Sequence, residues 1–384
     1  MEGNETKQVR IEKLNKLRSQ QVDAYGQRFI RTHTIAEVLK DFKEGVSIVT
    51  AGRIMASRSH GKVTFMDLMD QSGRMQLFVK ADNIGQEAYD MLKLQSNNTG
   101  ITYTGFCYID KNKKNWKHAP KIFSGDGFQD CIVLVFGKPR TAVFAHIDSI
   151  GFTVRYGKEL VKIGGPRTEN GFELVGEDSK GKIECTLHVD KERNITYKYK
   201  REIDRGAELT FKPNWRETKE YVQCCYMDNR LGVWNALQLA ETLKDGILVF
   251  SCWEEHGGGS VSYIQKFIYE KYKVKQALIS DITWVTKGVP HGKGVVISLR
   301  DSLIPRKSYV NKIIEIAKKS KIPYQLEVEG SGGSDAKELQ MSDNPWDWCF
   351  IGAPEDHVHS PDEKVYKNDI NAMVKLYRVL MEKL

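Results

Sequence analysis

The sequence predicts an α/β protein: a mostly parallel sheet with helices on both faces, carrying a small β insert and preceded by a short β-rich module. Three observations carry this. From about residue 131 onward, short apolar runs alternate with helical patterns, the texture of βαβ units around a parallel sheet. Between 151 and 221 that rhythm stops and only short β runs remain. Before residue 96 the order is helix, three strands, helix.

Each element has a local cause. Residues 6–24 read as an amphipathic helix, because Val9, Leu14, Leu17 and Val22 recur at roughly helical spacing among Lys, Arg and Gln. A second helix covers about 34–43, with Thr34 as its N-cap. Val46–Ser57, Lys62–Leu68 and Arg74–Lys80 read as strands, separated by Ser-His-Gly and Gln-Ser-Gly turns. With a helix at about 85–94, residues 1–96 match the front portion of an OB-fold. The polar run QSNNTGITYT (95–104) marks the boundary. Residues 97–150 and 222–384 then form one domain. Its strand candidates are Cys131–Phe136, Thr141–Ala145, Ile247–Cys252, Gln276–Ser280, Gly294–Leu299 and Trp348–Ile351. Its helix candidates are 229–244, 260–272, 307–320, about 335–340 and 367–384. The stretch 151–221 (GFTVRY, KGKIECTLHV, ITYKYK, AELTFK) reads as a β insert within it.

Composition excludes some classes. The 384 residues are 40% hydrophobic and 28% charged, ordinary for a globular protein. No apolar stretch approaches the roughly 18–20 residues of a membrane span, and no N-terminal apolar region suggests a signal peptide. Seven cysteines, an odd number without C-x-x-C spacing, fit free thiols and a cytoplasmic location. The net charge of +8 permits contact with nucleic acid without requiring it.

The chemistry lies in groups that follow apolar runs. His146 and Asp148 follow TAVFA, Glu254 and Glu255 follow ILVFSCW, Asp281 follows QALIS, and His359 follows WCFIGAPEDHV. Asp228 stands at a helix start. In open parallel sheets, functional groups gather beyond the carboxyl ends of the strands, so these residues are expected to meet. Imidazole and carboxylate donors suit zinc or cobalt, with manganese compatible, and two such ions can share a bridging carboxylate. Glu254 beside Glu255 offers a general base and a ligand from one loop. Asp148 is placed to accept the second imidazole proton of His146. Each piece has a bland alternative: Asp228 as an N-cap, Asp281 as a turn residue, paired glutamates as solvated surface. His357 is the rival to His359, while His256 and His291 read as pocket or surface groups.

AHIDSIG (145–151), the Asp228-Asn229-Arg230 run with Leu231-Gly232, WEEHGG (253–258), SDITWVT (280–286), GGSDA (332–336) and HSPDE (359–363) occur in this order. Over about 100–384 the chain resembles the M42 family of metallo-aminopeptidases. The resemblance implies a zinc-peptidase-like fold and hydrolysis of N-terminal residues from peptides. It implies two divalent ions, with His146 and Asp281 on one, Glu255 and His359 on the other, Asp228 bridging and Glu254 as general base. It also implies that the insert is dimerisation-like, that the protein is a homo-oligomer, and that the Asp228–Asn229 peptide is cis or strained. The family's usual Asp-Asp-Arg is Asp-Asn-Arg here.

The N-terminal segment RIEKLNKLRSQQVDAYG, with AGRIMASRSHGKVTFMDLMDQSGRMQLFVKADNIG, resembles the anticodon-binding region of bacterial lysyl-tRNA synthetases over about 8–94. It implies a nucleic-acid-binding OB module in which Phe65 stacks a base beside Arg53 and Gln76. The resemblance stops before the last two barrel strands, and the class II synthetase motifs do not appear, so ligase activity is not expected. Two function classes follow: a metallo-aminopeptidase, or a tRNA-binding module with a catalytically silent peptidase-like domain.

Overall fold

The computed structural model describes residues 32–41, 48, 50, 53–60, 63–80 and 116–384. The chain divides into two compact units, Met1–Lys111 and Asn112–Leu384. The helices expected at 6–24 and 85–94, and the boundary at 95–104, lie outside the described residues.

In the first unit, helix α1 (Ile35–Lys40) opens on a capping box. The Thr34 hydroxyl accepts from the Glu37 amide, and the Glu37 carboxylate accepts the Thr34 amide at 2.7 Å, the reciprocal pairing that satisfies two exposed donors. Ile35 and Val38 bury one face of α1. Strands β1 (Arg53–His60), β2 (Val63–Met69) and β3 (Arg74–Lys80) form an antiparallel meander. The three expected strands are therefore present, although most of 46–52 lies outside the described residues.

The second unit is built on an eleven-stranded sheet. Its parallel centre runs in the order β19 (Asp347–Asp356), β16 (Gln276–Trp284), β6 (Ala142–His146), β15 (Gly246–Ser251). Beyond β15 lie β5 (Ile132–Phe136) and β4 (Lys121–Phe123), both antiparallel. Beyond β19 lie the antiparallel β20 (Lys364–Tyr366), β14 (Tyr221–Gln223) and β13 (Arg216–Glu217). Strand β17 (Val295–Arg300) pairs with β19 antiparallel and with β18 (Tyr324–Val328) in parallel. The α/β class stands, with the parallel part confined to the centre and antiparallel strands at the margins. The central strands are buried end to end: β5, β6 and β15 contain no exposed position. That explains their continuous rather than alternating apolar runs.

Helices cover both faces. Helix α3 (Ser260–Tyr272) buries Val261, Ile264 and Ile268, and α5 (Ala336–Gln340) buries Ala336 and Leu339, against Val133, Phe144, Val249, Ile279 and Trp348. Burial of each of these valine, isoleucine and leucine side chains stabilises by about 1.5–3 kcal/mol. On the other side, α6 (Lys367–Lys383) crosses near α2 (Met227–Ala240) and α4 (Lys307–Ser320). Its Tyr377 hydroxyl reaches the carbonyls of Ile279 and Ile351, at 2.7 and 2.8 Å. Two predicted strands are longer than expected: β16 and β19 continue side by side as far as Trp284 and Glu355. Their partnership past Asp281 is a long-range pairing that short apolar runs do not reveal.

The stretch expected as a β insert holds a six-stranded antiparallel sheet, ordered β11 (Ile195–Lys198), β10 (Gly181–Val189), β9 (Glu173–Asp178), β12 (Glu208–Phe211), β7 (Gly151–Val154), β8 (Leu160–Ile163). Phe152, Phe172 and Phe211 form its aromatic core, and Phe211 stacks on Tyr226, two residues before Asp228. The Phe211 amide donates to the Tyr226 hydroxyl. Residues 213–223 leave this sheet: β13 and β14 belong to the large sheet.

Candidate metal centre

Parallel register sets the site. Pairing of Ser251 with His146, and of Ile279 with Phe144, puts the ends of β6 and β15 level with Asp281 of β16. The loop after β15 turns sharply: Trp253 has φ +71°, and Glu254–His256 form a single 3-10 turn. His357 and His359 also adopt positive φ, as does Tyr226 before α2. Non-glycine residues in this region are held there by their surroundings and cluster at functional sites. The Asp228–Asn229 peptide is cis, as the family resemblance implied.

All five ligand candidates meet. His146 Nε2 lies 3.1 Å from Asp228 Oδ1 and 3.5 Å from Asp281 Oδ2. His359 Nε2 lies 3.3 Å from Asp228 Oδ2 and 3.5 Å from Glu255 Oε2. Asp228 thus presents one oxygen to each imidazole. Glu254 Oε2 stands 3.9 Å from His146 Nε2. His357 is exposed and outside the cluster, and so is His256. His291 pairs instead with Asp356 at 2.9 Å and stacks on Tyr366.

Asp148 sits differently from the sequence expectation. The nearest acceptor to His146 Nδ1 is the Asp148 backbone carbonyl, at 3.1 Å, with the carboxylate at 3.6 Å. The carboxylate is turned to the loop, where its two oxygens accept the amides of Glu254 and Glu255 at 3.2 and 3.1 Å. Asp148 therefore holds the Glu254–Glu255 turn, while its main chain fixes the imidazole.

Sequence reasoning missed several supports. Glu363, four residues after His359, is buried and accepts three amides: His359 at 2.9 Å, Met227 at 2.6 Å and Asp228 at 3.3 Å. Gly165, from the insert, holds His359 Nδ1 through its carbonyl at 3.1 Å. Its neighbour Gly164 has φ +65°, and a Cβ there would stand 3.0 Å from Glu255 Oε2, so only glycine lets the loop pass. Asn229 donates to the Ser280 carbonyl at 2.9 Å and accepts the Gly232 amide at 2.9 Å, which locks α2 onto β16. The acidic fifth residue of HSPDE was the one visible signal for Glu363. Of the GGSDA motif, Gly332 and Gly333 line the cleft, and Asp335 is buried against Ser251.

The electrostatics follow from crowding. Burial pushes the Glu254 carboxyl up to about 9, aided by the charges of Asp281, Asp335 and Asp228. Burial likewise lifts Glu255 to about 8 and raises Asp281. Burial opposes the charged imidazole of His146, yet the facing carboxylates of Asp281, Asp148 and Asp228 outweigh it and hold its pKa well above the ordinary value. The donor set fits divalent cations. His146, Asp228 and Glu255 offer ligand atoms within 4.8 Å of one another. Asp228 Oδ1 and Glu255 Oε1 are buried without a hydrogen-bond partner, a costly state unless a cation takes them.

The nucleic-acid candidates lie in the other unit. Antiparallel register sets Arg53 opposite Met69, Phe65 opposite Phe78 and Gln76 opposite Asp67. Gln76 is exposed. The side chains of Arg53 and Phe65 lie outside the described residues.

Comparison with known proteins accounts for both units. The N-terminal region is similar to lysine–tRNA ligases: 41% identical over 113 residues to that of Thermoanaerobacter pseudethanolicus, and 34% over 113 residues to that of Bacillus subtilis. Those matches cover 29% and 27% of this chain, and the chain spans only 23% of each ligase. Among solved structures, an aminopeptidase of the archaeon Desulfurococcus kamchatkensis superposes with a TM-score of 0.64 at 20% identity, covering 71% of this chain and 88% of that one. The TET1 peptidase of Pyrococcus horikoshii superposes at 0.61 with 23% identity, covering 76% and 98%. At such identities the likeness establishes the fold. The family model for M42 glutamyl aminopeptidase matches residues 182–376. Because that match runs over half of the sequence, this chain belongs to the M42 glutamyl aminopeptidase family.

Proposed function

We propose that the chain is a two-metal aminopeptidase that removes N-terminal residues from peptides, with Glu254 as its general base. The observation that carries this is Asp228, whose two oxygens face two imidazoles, 3.1 Å from His146 and 3.3 Å from His359. His146 and Asp281 would hold one divalent cation, Glu255 and His359 a second, and Asp228 both. Zinc or cobalt suits these donors, with manganese compatible. When bound, such ions polarise a scissile carbonyl and acidify water. Glu254 would take a proton from the attacking water and return it to the departing amine. Asp148 would keep Glu254 aimed by gripping its amide. The Asp148 and Gly165 carbonyls would fix the tautomers of the two histidines.

The test is hydrolysis of a panel of aminoacyl-p-nitroanilides with metal analysis. Glu254→Gln should lower kcat by about 10²–10⁴-fold while metal content stays at the wild-type level. Unchanged turnover in that variant would overturn the base assignment. Free thiols at Cys131, Cys185, Cys224, Cys225, Cys252 and Cys349 fit a reducing, cytoplasmic setting. Among the described residues no helix is long and apolar enough to cross a membrane. The assembly of the Pyrococcus peptidase into tetrahedral or octahedral shells supports a homo-oligomer here. The ligase similarity favours a second role for the first unit, contact with tRNA. That role predicts salt-dependent binding that is lost on Phe65→Ala.

A further inference from the structure

The cleft that opens on the His–carboxylate cluster, about 310 Å³, continues to a wall of a different kind. Thr283 and Trp284 at the end of β16, Asp301 after β17, Glu327 on β18, Glu329 just beyond it and Phe350 on β19 all line it. We propose that this wall selects substrates whose first residue is basic, lysine or arginine, a reading that rests on the aminopeptidase assignment above.

Charge is the first argument. Register pairs Ser298 of β17 with Glu327 of β18, and the Glu329 amide donates to the Arg300 carbonyl at 3.1 Å. These contacts bring the three acidic residues to one end of the cleft. Among the described residues, no lysine or arginine lines the cleft, and no ion pair reaches Asp301, Glu327 or Glu329. The Arg300 guanidinium turns to the Asp301 backbone carbonyl, at 3.1 Å. Glu327 is 3% exposed and takes its hydrogen bond from the Thr283 hydroxyl. Burial pushes its carboxyl up, and the nearby charges of Glu329 and Asp301 add to that. Arg300 acts on Asp301 only from beyond ion-pair distance, so three buried or half-buried acids with no direct ion pair form a costly arrangement that a cationic side chain relieves.

Shape is the second argument. Trp284 and Phe350 give the same cleft an apolar wall, with the Trp284 indole packed 3.5 Å from the position a Cβ would take on Gly332. Lysine and arginine bury an aliphatic stem along apolar surface and extend a charge beyond it. An apolar wall ending in acids matches both parts, whereas an acidic first residue would meet like charge. The third argument is continuity with the chemistry. The Glu255 side chain, 5% exposed, lines this cleft and has one oxygen without a hydrogen-bond partner. The acidic wall therefore belongs to the cavity in which a substrate amine and carbonyl would be bound.

The experiment compares lysyl-, arginyl-, leucyl- and glutamyl-p-nitroanilide on the full chain loaded with zinc or cobalt. All four carry the same α-amino group, so the ratios report the first side chain alone. The lysyl and arginyl substrates should exceed leucyl in kcat/KM by about tenfold or more and glutamyl by about a hundredfold, the range of one to two desolvated charge contacts. The double variant Asp301→Asn/Glu329→Gln should lower the lysyl-to-leucyl ratio at least tenfold, and Glu329→Lys should raise the glutamyl-to-lysyl ratio. A parallel calorimetric titration of the Glu254→Gln protein with L-lysinamide and L-leucinamide reads the cleft without turnover. Tighter lysinamide binding that weakens in the double variant supports the proposal even where nothing is hydrolysed, an outcome that would sink the peptidase reading alone. Leucinamide binding as tight as lysinamide, or leucyl or glutamyl turnover above lysyl, overturns it.

Discussion

Replacing Gly232 by alanine tests how far the site depends on one backbone approach. A Cβ there would stand 2.0 Å from the Ser280 carbonyl oxygen and 2.2 Å from Asn229 Oδ1. Neither is the free end of a flexible chain. Ser280 lies in the central strand β16, and Asn229 is held between the Gly232 amide and that same carbonyl. Carbon and oxygen in ordinary contact need over 3 Å, so α2 must withdraw from β16 by about 1 Å. Overpacking of this kind costs about 1–3 kcal/mol. Loosening the Asn229–Gly232 bond and the Ser280 hydroxyl bond to the Gly232 carbonyl, at 3.0 Å, costs about 1 kcal/mol each. Alanine returns about 1 kcal/mol through helix propensity. The net loss is about 2–4 kcal/mol, a fall in Tm of roughly 5–15 °C for a unit of this size. Because Asp228 is on α2 and Asp281 on β16, the same withdrawal separates two ligand candidates. A misplacement of about 1 Å costs around a hundredfold in kcat/KM. Thermal unfolding, metal content and turnover should be measured together. A variant whose Tm falls by less than 1 °C, with wild-type metal uptake and activity, would refute the reasoning.

Three further outcomes are expected. Glu363→Gln replaces one of two acceptor oxygens, Oε1 that takes the His359 amide or Oε2 that takes the Met227 and Asp228 amides; it should cost about 1–3 kcal/mol in chemical denaturation and weaken metal binding measured by chelator competition. Dialysis against a chelator should lower Tm, and readdition of zinc at about a hundred times its Kd should restore about 2.7 kcal/mol; identical unfolding curves with and without zinc would count against a metal centre. In the first unit, burial alone would raise the Asp70 carboxyl, but the Ser72 hydroxyl and the amides of Ile35, Ser72 and Gly73 hold it down to about 2. A depressed carboxylate stabilises above its unfolded pKa near 4 and loses that contribution as pH falls toward 2. Carboxyl NMR should therefore place the midpoint near 2, and amide exchange at Ile35 and Gly73 should quicken across that window; a midpoint near 4 would contradict the hydrogen bonding.

Much of the candidate site was legible because individually weak signals fall at equivalent places in the chain. His146, Glu254, Glu255 and His359 follow apolar runs, and the parallel centre of the sheet puts such positions on one edge. Asp148 was found for a partly different reason from the one the structure supplies. From sequence its carboxylate reads as a partner for the His146 ring, whereas it grips the amides of Glu254 and Glu255. Main-chain acceptors leave no mark in a sequence, so the Asp148 and Gly165 carbonyls behind the two imidazoles could not be read there.

The amino-acid sequence by itself determined the α/β class, the β insert, the capped helix at Thr34 and the residue types that converge. Each depends on periodicity, caps or short motifs, which act over a few residues. Tertiary structure decided how those pieces share space. The antiparallel margins of the sheet, the reach of β16 and β19 past Asp281, and the grip of Glu363 on α2 all join residues far apart in the chain. The acidic wall of the cleft is of the same kind. Asp301, Glu327 and Glu329 are scattered surface acids in the sequence, and only the pairing of β17 with β18 sets them beside the candidate metal centre.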